Sequence, residues 1–335
     1  MLYLDAVQAF LKDLQKDLMI SRGYVSPRTI HSYSHRLTEL GRYVARKHRL
    51  LSGQPEGDQD LQAGLDALTL EAFTENLLKD YLIDHLTAGN GPTTLNTHLY
   101  CFRSFWRFAA KTYQVPDPTL DLKRSRAKGG HHHHLPDRHV EAFLEHLGKR
   151  DVAKDIRARD HLFFGIIARY GTRLGETLAL DLDSVTVSKH SIDLKIVGKG
   201  NKTRLVPLPL YDEKGKIEAR EPFVALLEHY LTKVRPKWKA AAGHEKALFL
   251  SQKGFRWSDD AARAVFKDAM AACDLAQHGY VVHSLRHSVA SRLLNSGVGL
   301  PTVSKILGHA STQVTASIYA HSDESEVEKG MTKTY

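Results

Sequence analysis

One stretch of this chain alternates, and the sequence on either side of it repeats every three or four residues. Between Asp183 and Leu210 it reads DSVTV, then SIDLKIV, then a turn GKGNKT, then RLVPLPL. Short β-branched and apolar runs bounded by turn signals predict a small antiparallel sheet. Elsewhere the apolar spacing is helical. Leu4, Val7, Leu11, Leu14 and Leu18 make one stripe. Ile30, Tyr33, Leu37, Leu40 and Val44 make a second, and Leu95, Leu99, Phe102, Trp106 and Ala109 a third. A chain patterned this way is expected to be mainly α, with a small antiparallel β-sheet inserted among the later helices.

Punctuation divides the pattern further. Ser26-Pro27 is a helix start, and Leu51 to Gly64 reads as a polar, glycine-bearing loop. A third helix is expected from Leu68 to Leu86, and a fourth after Gly91-Pro92. HLFFGIIARYG reads as a buried helix ending at Gly171, RLGETLAL as a further turn, and the chain after Pro222 as helical to its end. Its 335 residues are enough for two domains. The joint is LKRSRAKGGHHHHLPD, basic and punctuated by Gly129-Gly130 and Pro136. The expected organisation is a helical domain over 1–120, a basic flexible linker over 121–136, and a second domain over 137–335.

The charge favours a polyanionic partner. Lysine and arginine total 47 against 38 acidic residues, a net charge of +9. Arg28, Arg42 and Arg46 lie opposite the second apolar stripe, and Arg103, Arg107 and Lys111 away from the third. Lys123, Arg124 and Arg126 sit in the joint and Lys202 in the strand turn. These ten are the expected phosphate contacts of a nucleic-acid partner. No apolar run approaches a membrane span, and the first residues lack the pattern of a signal peptide. Cys101 and Cys273 are far apart without CxxC spacing, so a cytoplasmic location is expected, with no disulfide framework or thiolate zinc site. The tract His131–His134 has no carboxylate or thiol beside it and reads as linker, so no metal site is expected. The chain has no GxxxxGK[ST] loop, HExxH or carboxylate cluster, and no cofactor is expected.

Within HSLRHSVASRLL, Leu285, Val289 and Leu293 form an apolar stripe while His283 and Arg286 share a face. A guanidinium among small and apolar neighbours calls for an anion. The longer run HSLRHSVASRLLNSGVGLPTVSKILGHASTQVTASIYAH resembles the C-terminal signature of the tyrosine recombinases, the phage-integrase family: H-x-x-R, a helix, L-G-H, then a tyrosine. Here His309 and Tyr319 are ten residues apart. YGTRLGETLALDLDSV resembles the family's first arginine motif, although Tyr170-Gly171-Thr172 replaces its usual T-G-x, and GKGNKTRLVPLP resembles its β-hairpin lysine motif.

The resemblance implies that the helical domain over 1–120 is a DNA-binding domain, and that a catalytic second domain closes with it as a clamp around double-stranded DNA. It implies strand cleavage through a 3′-phosphotyrosine, without metal or ATP. Tyr319 would be the nucleophile and His283 the general acid/base. Arg173 and Arg286 would grip the non-bridging oxygens, Lys199 would protonate the leaving 5′-oxygen, and His309 would hydrogen-bond the phosphate. Glu176 would orient its neighbours. The family's assembly implies a homo-tetramer on two DNA sites, and a monomer or dimer when free. A non-catalytic DNA-binding protein of the same fold is the alternative, as is a type IB topoisomerase or telomere resolvase, which shares this chemistry.

Overall fold

The computed structural model of this chain describes residues 1–16, 25, 27–51, 58–125, 134–188, 191–198, 203–209 and 221–308. They belong to two compact units, Met1–Gly130 and His131–Tyr335, each with its own core.

The first unit carries α1 (Tyr3–Lys16), α2 (Pro27–Leu51), α3 (Asp58–Asp66), α4 (Glu75–Thr87) and α5 (Pro92–Tyr113). Proline opens both α2 and α5, where its fixed φ suits the first turn and its missing N–H has no partner to lose. The stripes face inward: Val7, Leu37, Leu40, Val44, Leu99, Phe102, Trp106 and Ala109 are buried. Phe105 sits edge-on to Tyr3 and Phe10, with ring centroids 5.6 Å from each. Leu18 and Ser26 lie outside the described residues.

Two local expectations are corrected. The loop expected from Leu51 to Gly64 contains the end of α2 and most of α3, because Leu65 is buried in the core and Leu61 packs against it. The helix expected from Leu68 to Leu86 is broken. A short 3-10 turn at Leu70–Ala72 precedes α4, and Thr74 between them is extended, its side chain accepting from the Leu77 amide. Such a cap is worth about 1 kcal/mol and marks a new helix start.

In the second unit α6 (Asp137–Lys149) packs on α7 (Lys154–Tyr170), whose Leu162, Phe163, Phe164, Ile166 and Ile167 are all buried. Gly171, at φ +62, ends α7. A Cβ there would come within 2.4 Å of Leu307, so glycine meets both the conformation and the space. The chain then forms α8 (Leu174–Leu178) and the antiparallel sheet β1 (Val185–Val187), β2 (Ser191–Val197) and β3 (Thr203–Pro209), in that order. Ile192, Leu194 and Ile196 of β2 are buried at alternate positions, and Val197 pairs with Thr203 where the β2–β3 connection begins.

After α9 (Glu221–His229) the all-helical expectation fails. Ala247, Leu248, Phe249 and Leu250 form a fully buried non-helical run, bridged at Ala247 to Asp181 and at Leu250 to Arg256, with Leu248 N–H donating to Leu180 and Trp257 N–H to Phe249. A short apolar run can be buried without forming a helix when its backbone finds such partners. Helices resume with α10 (Asp259–Ala272), α11 (Val282–Asn295) and α12 (Leu300–Leu307). Val303 and Leu307 of α12 bury against Val289 and Ala290 of α11.

Both described flanks of the joint are tied down. Leu122 is buried in the first core, and the Asn96 amide group exchanges two hydrogen bonds with the Ser125 backbone. Leu135 is buried in the second core, its amide and carbonyl each 2.8 Å from the Ser288 hydroxyl. Among the described residues no helix is long and apolar enough to cross a membrane. Nor do any three or more His, Cys, Asp or Glu among them form a group able to hold a metal ion.

Candidate active site

Residues far apart in sequence meet around one carboxylate. Arg173 is the N-cap of α8, and its backbone N–H donates to Glu176 Oε2 at 2.9 Å. Its guanidinium reaches Glu176 Oε1 at 2.7 Å and the Gly308 carbonyl at 3.1 Å. Arg286, on α11, donates to the carbonyls of Gly171 at 2.6 Å and Leu307 at 2.7 Å. Its Nη1 lies 3.9 Å from Glu176 Oε2. The guanidinium that the sequence left waiting for an anion is thus held in the free protein by two carbonyls at helix ends, with Glu176 nearby. Helix C-termini are favourable places for a cation.

A third guanidinium was not expected. Arg204 on β3 pairs its two terminal nitrogens with the two Glu176 oxygens at 3.1 and 2.8 Å, and its Nε donates to the Ile306 carbonyl at 3.1 Å. In the sheet register it stands opposite Ile196, whose side chain is fully buried, so it occupies the core-facing side of β3. The signal lay in the alternation of Arg204, Val206 and Leu208 against Ile196, Leu194 and Ile192. The adjacent Leu205 obscured it, since only the register shows that Leu205 points out, 63% exposed.

The electrostatics follow from this packing. Burial alone would raise the Glu176 pKa. Hydrogen bonds from Arg204 and from the Arg173 backbone, with the charges behind them, bring it down to about 2. Burial, then the charge of Arg173, pushes the Arg286 guanidinium down to about 9, with Glu176 opposing, so it stays charged at neutral pH. One carboxylate against three guanidiniums leaves two positive charges unbalanced among the described residues. Arg286 is 1% exposed, and its Nε has no hydrogen-bond partner among them. Arg173 is the most accessible of the three, with 39% of its side chain exposed.

His283, one turn before Arg286 on α11, is exposed and stands edge-on to His287, ring centroids 4.7 Å apart. Lys199, His309 and Tyr319 lie outside the described residues. By sequence, Lys199 falls in the connection from Val197 to Thr203, and His309 follows Gly308 directly. Of the expected DNA contacts, Arg28, Arg42, Arg46, Arg107, Lys111, Lys123 and Arg124 are exposed, and Arg124 lies over the Tyr100 ring. Arg103 is half-buried and donates to the Leu122 carbonyl, which gives it structural work in holding the end of the first unit. Arg126 and Lys202 are outside the described residues.

Residues 133–326 match the profile of the Phage integrase family. The tyrosine recombinase XerC of Chlamydia muridarum (strain MoPn / Nigg) is 26% identical over 298 residues, covering 88% of each chain. XerC of Mycobacterium sp. (strain KMS) is 30% identical over 267 residues, 75% of this chain and 79% of the relative. Among solved structures, the XerH site-specific recombinase bound to palindromic difH substrate in a post-cleavage complex superposes with a TM-score of 0.67. That match is 22% identical over 98% of this chain and 95% of the other. A lambda integrase (75-356) dimer bound to a COC′ core site gives 0.62 at 13% identity, over 94% and 97%. At these identities the structural likeness is one of fold.

Proposed function

The chain belongs to the phage integrase family and is a tyrosine recombinase, an enzyme that cuts and rejoins DNA; from that premise we propose how its residues divide the work. Arg173 and Arg286 grip the non-bridging oxygens of the scissile phosphate. Tyr319 attacks phosphorus, giving a 3′-phosphotyrosine and a free 5′-hydroxyl. Two fixed forks suit the trigonal-bipyramidal transition state, whose charge spreads over oxygens that point donors can meet only one at a time.

A phenol ionises near pH 10 in water, so the attacking oxygen needs a base as its bond to phosphorus forms. His283 fills that role, its intrinsic pKa lying near neutrality. Lys199 delivers the proton to the departing 5′-oxygen, and His309 adds a hydrogen bond to the phosphate. The phosphotyrosine conserves the energy of the broken bond, so a second 5′-hydroxyl reverses the step and joins new strands without ATP.

The observation that carries this reading is the convergence of Arg173 and Arg286 on Glu176, with positive charge in surplus and no partner for Arg286 Nε among the described residues. Because Arg286 is enclosed, a phosphate reaches it only after the site opens, a step we assign to DNA binding. The exposed basic residues of α2 and α5 would contact the duplex as the two units close on it. Four copies would assemble on two sites. The XerH and lambda integrase complexes, which hold DNA in the same fold, support the partner.

The test uses a duplex site enriched by the protein from a random-sequence pool, nicked so that cleavage is irreversible. In EDTA the wild type should form a covalent protein–DNA adduct, and Tyr319→Phe should bind the duplex without forming one. An undiminished adduct in that variant would place the nucleophile elsewhere.

A further inference from the structure

Three consecutive carbonyls end α12, and each is taken by a different arginine: Ile306 by Arg204, Leu307 by Arg286 and Gly308 by Arg173. Two of these arginines have roles in the proposed chemistry. Arg204 has none, yet among the described residues its side chain makes three hydrogen bonds, against two each for Arg173 and Arg286. Its terminal nitrogens close a two-point fork on Glu176, and its Nε reaches α12 on the other side. The surroundings are shaped to it. Gly308 adopts φ +67, and a Cβ at that position would come within 2.8 Å of the Arg204 guanidinium. Glycine therefore serves both the left-handed turn that ends α12 and the close approach of the arginine.

We propose that Arg204 is a positioning residue of the cleavage site, fixing Glu176 against Arg173 with one edge of its guanidinium and the end of α12 with the other. From that end the chain passes directly to His309 and, ten residues later, to Tyr319. One side chain on β3 thus sets the phosphate-gripping arginine and the base of the segment that carries the nucleophile in a common frame. Lysine retains the charge but presents a single donor point, so it cannot hold three acceptors in fixed directions. This inference rests on the reading of Arg173 and Tyr319 given above.

The charged groups facing Glu176 among the described residues are Arg173 from the start of α8, Arg204 from β3 and Arg286 from α11. In the wild type the carboxyl ionises at about 2, below any pH used for cleavage. Removing Arg204 takes away its largest stabilising partner and moves that ionisation upward. A protonated Glu176 no longer anchors Arg173, so cleavage by Arg204→Met should gain an acid-side fall that the wild type lacks.

Adduct formation by the full chain on the nicked duplex tests this between about pH 5 and 9. Arg204→Lys should slow it about 10-fold and Arg204→Met about 100-fold, the scale of a small misplacement of reacting groups, with duplex affinity within about 3-fold of wild type. Adding Glu176→Gln to Arg204→Met should erase the extra acid-side fall. Cleavage by Arg204→Lys at the wild-type rate would overturn the proposal, and so would an Arg204→Met pH profile parallel to the wild type's. If Arg204→Met does not fold, the lysine variant decides. A wild type that forms no adduct would instead overturn the catalytic reading on which the proposal stands.

Discussion

Replacing Glu176 by glutamine keeps its shape and deletes its charge, which isolates what the carboxylate does for three guanidiniums. In the fold this group ionises at about 2, against an ordinary value of 4.5. The gap is worth about 3 kcal/mol at neutral pH. Its sign is fixed by the direction of the shift. Between the two values the unfolded chain binds the proton and the folded chain does not, so this stability is complete above about pH 4.5 and is lost as pH falls toward 2. Glu176 is only 8% exposed, so solvent screening reduces the figure little. For a domain of about 200 residues, 3 kcal/mol corresponds to roughly 6–12 °C in Tm. Thermal melts followed by circular dichroism should therefore show Glu176→Gln well below the wild type at pH 7, the two curves converging as the buffer is acidified below 4.5. A variant melting within about 2 °C of the wild type at pH 7 would refute the reasoning. Parallel losses of stability in acid would do the same.

Gly308→Ala should cost about 1 kcal/mol for its left-handed backbone and displace Arg204, slowing adduct formation at least about 10-fold with duplex affinity retained. In the first unit, burial holds His98 down to about 4, and its Nδ1 lies 3.0 Å from the Tyr81 hydroxyl. The fold prefers neutral His98, so its contribution is complete above the ordinary value of 6.5 and fades as pH falls toward 4. Melting midpoints of His98→Gln should be less sensitive than the wild type's across that window. Arg107→Ala and Lys111→Ala should each reduce the slope of log binding constant against log salt by about 1, leaving Tm nearly unchanged. Arg103→Ala should instead lower Tm, because it removes a bond to the Leu122 carbonyl; equal behaviour of all three variants in both assays would contradict the assignment.

The sequence disclosed the parts of this molecule governed by local rules. Strand alternation located β1 to β3, and apolar stripes located α2 and α5 with their inward faces. Elements whose partners come from elsewhere were harder to read. The non-helical run Ala247–Leu250 reads as helix until its backbone partners at Leu180 and Trp257 are known. α3 hides in polar, glycine-bearing sequence because Leu61 and Leu65 alone anchor it. At the site, Arg173, Glu176, His283 and Arg286 stood out through their motif frames. Arg204 did not, since its role depends on strand register and on the end of α12, 102 residues away. That Arg286 is held by backbone carbonyls was equally beyond the sequence, which shows side chains but not where helix ends come to rest.

In the proposed mechanism Arg173 and Arg286 serve by meeting the negative charge on a phosphate. The most direct measurement replaces the scissile phosphate of the nicked duplex with an uncharged methylphosphonate and compares cleavage rates. The wild type should slow on the neutral substrate, whereas Arg173→Ala and Arg286→Ala, crippled on the phosphate, should recover most of their deficit. Variants equally impaired on both substrates would contradict the account, because the arginines would then be acting on something other than that charge.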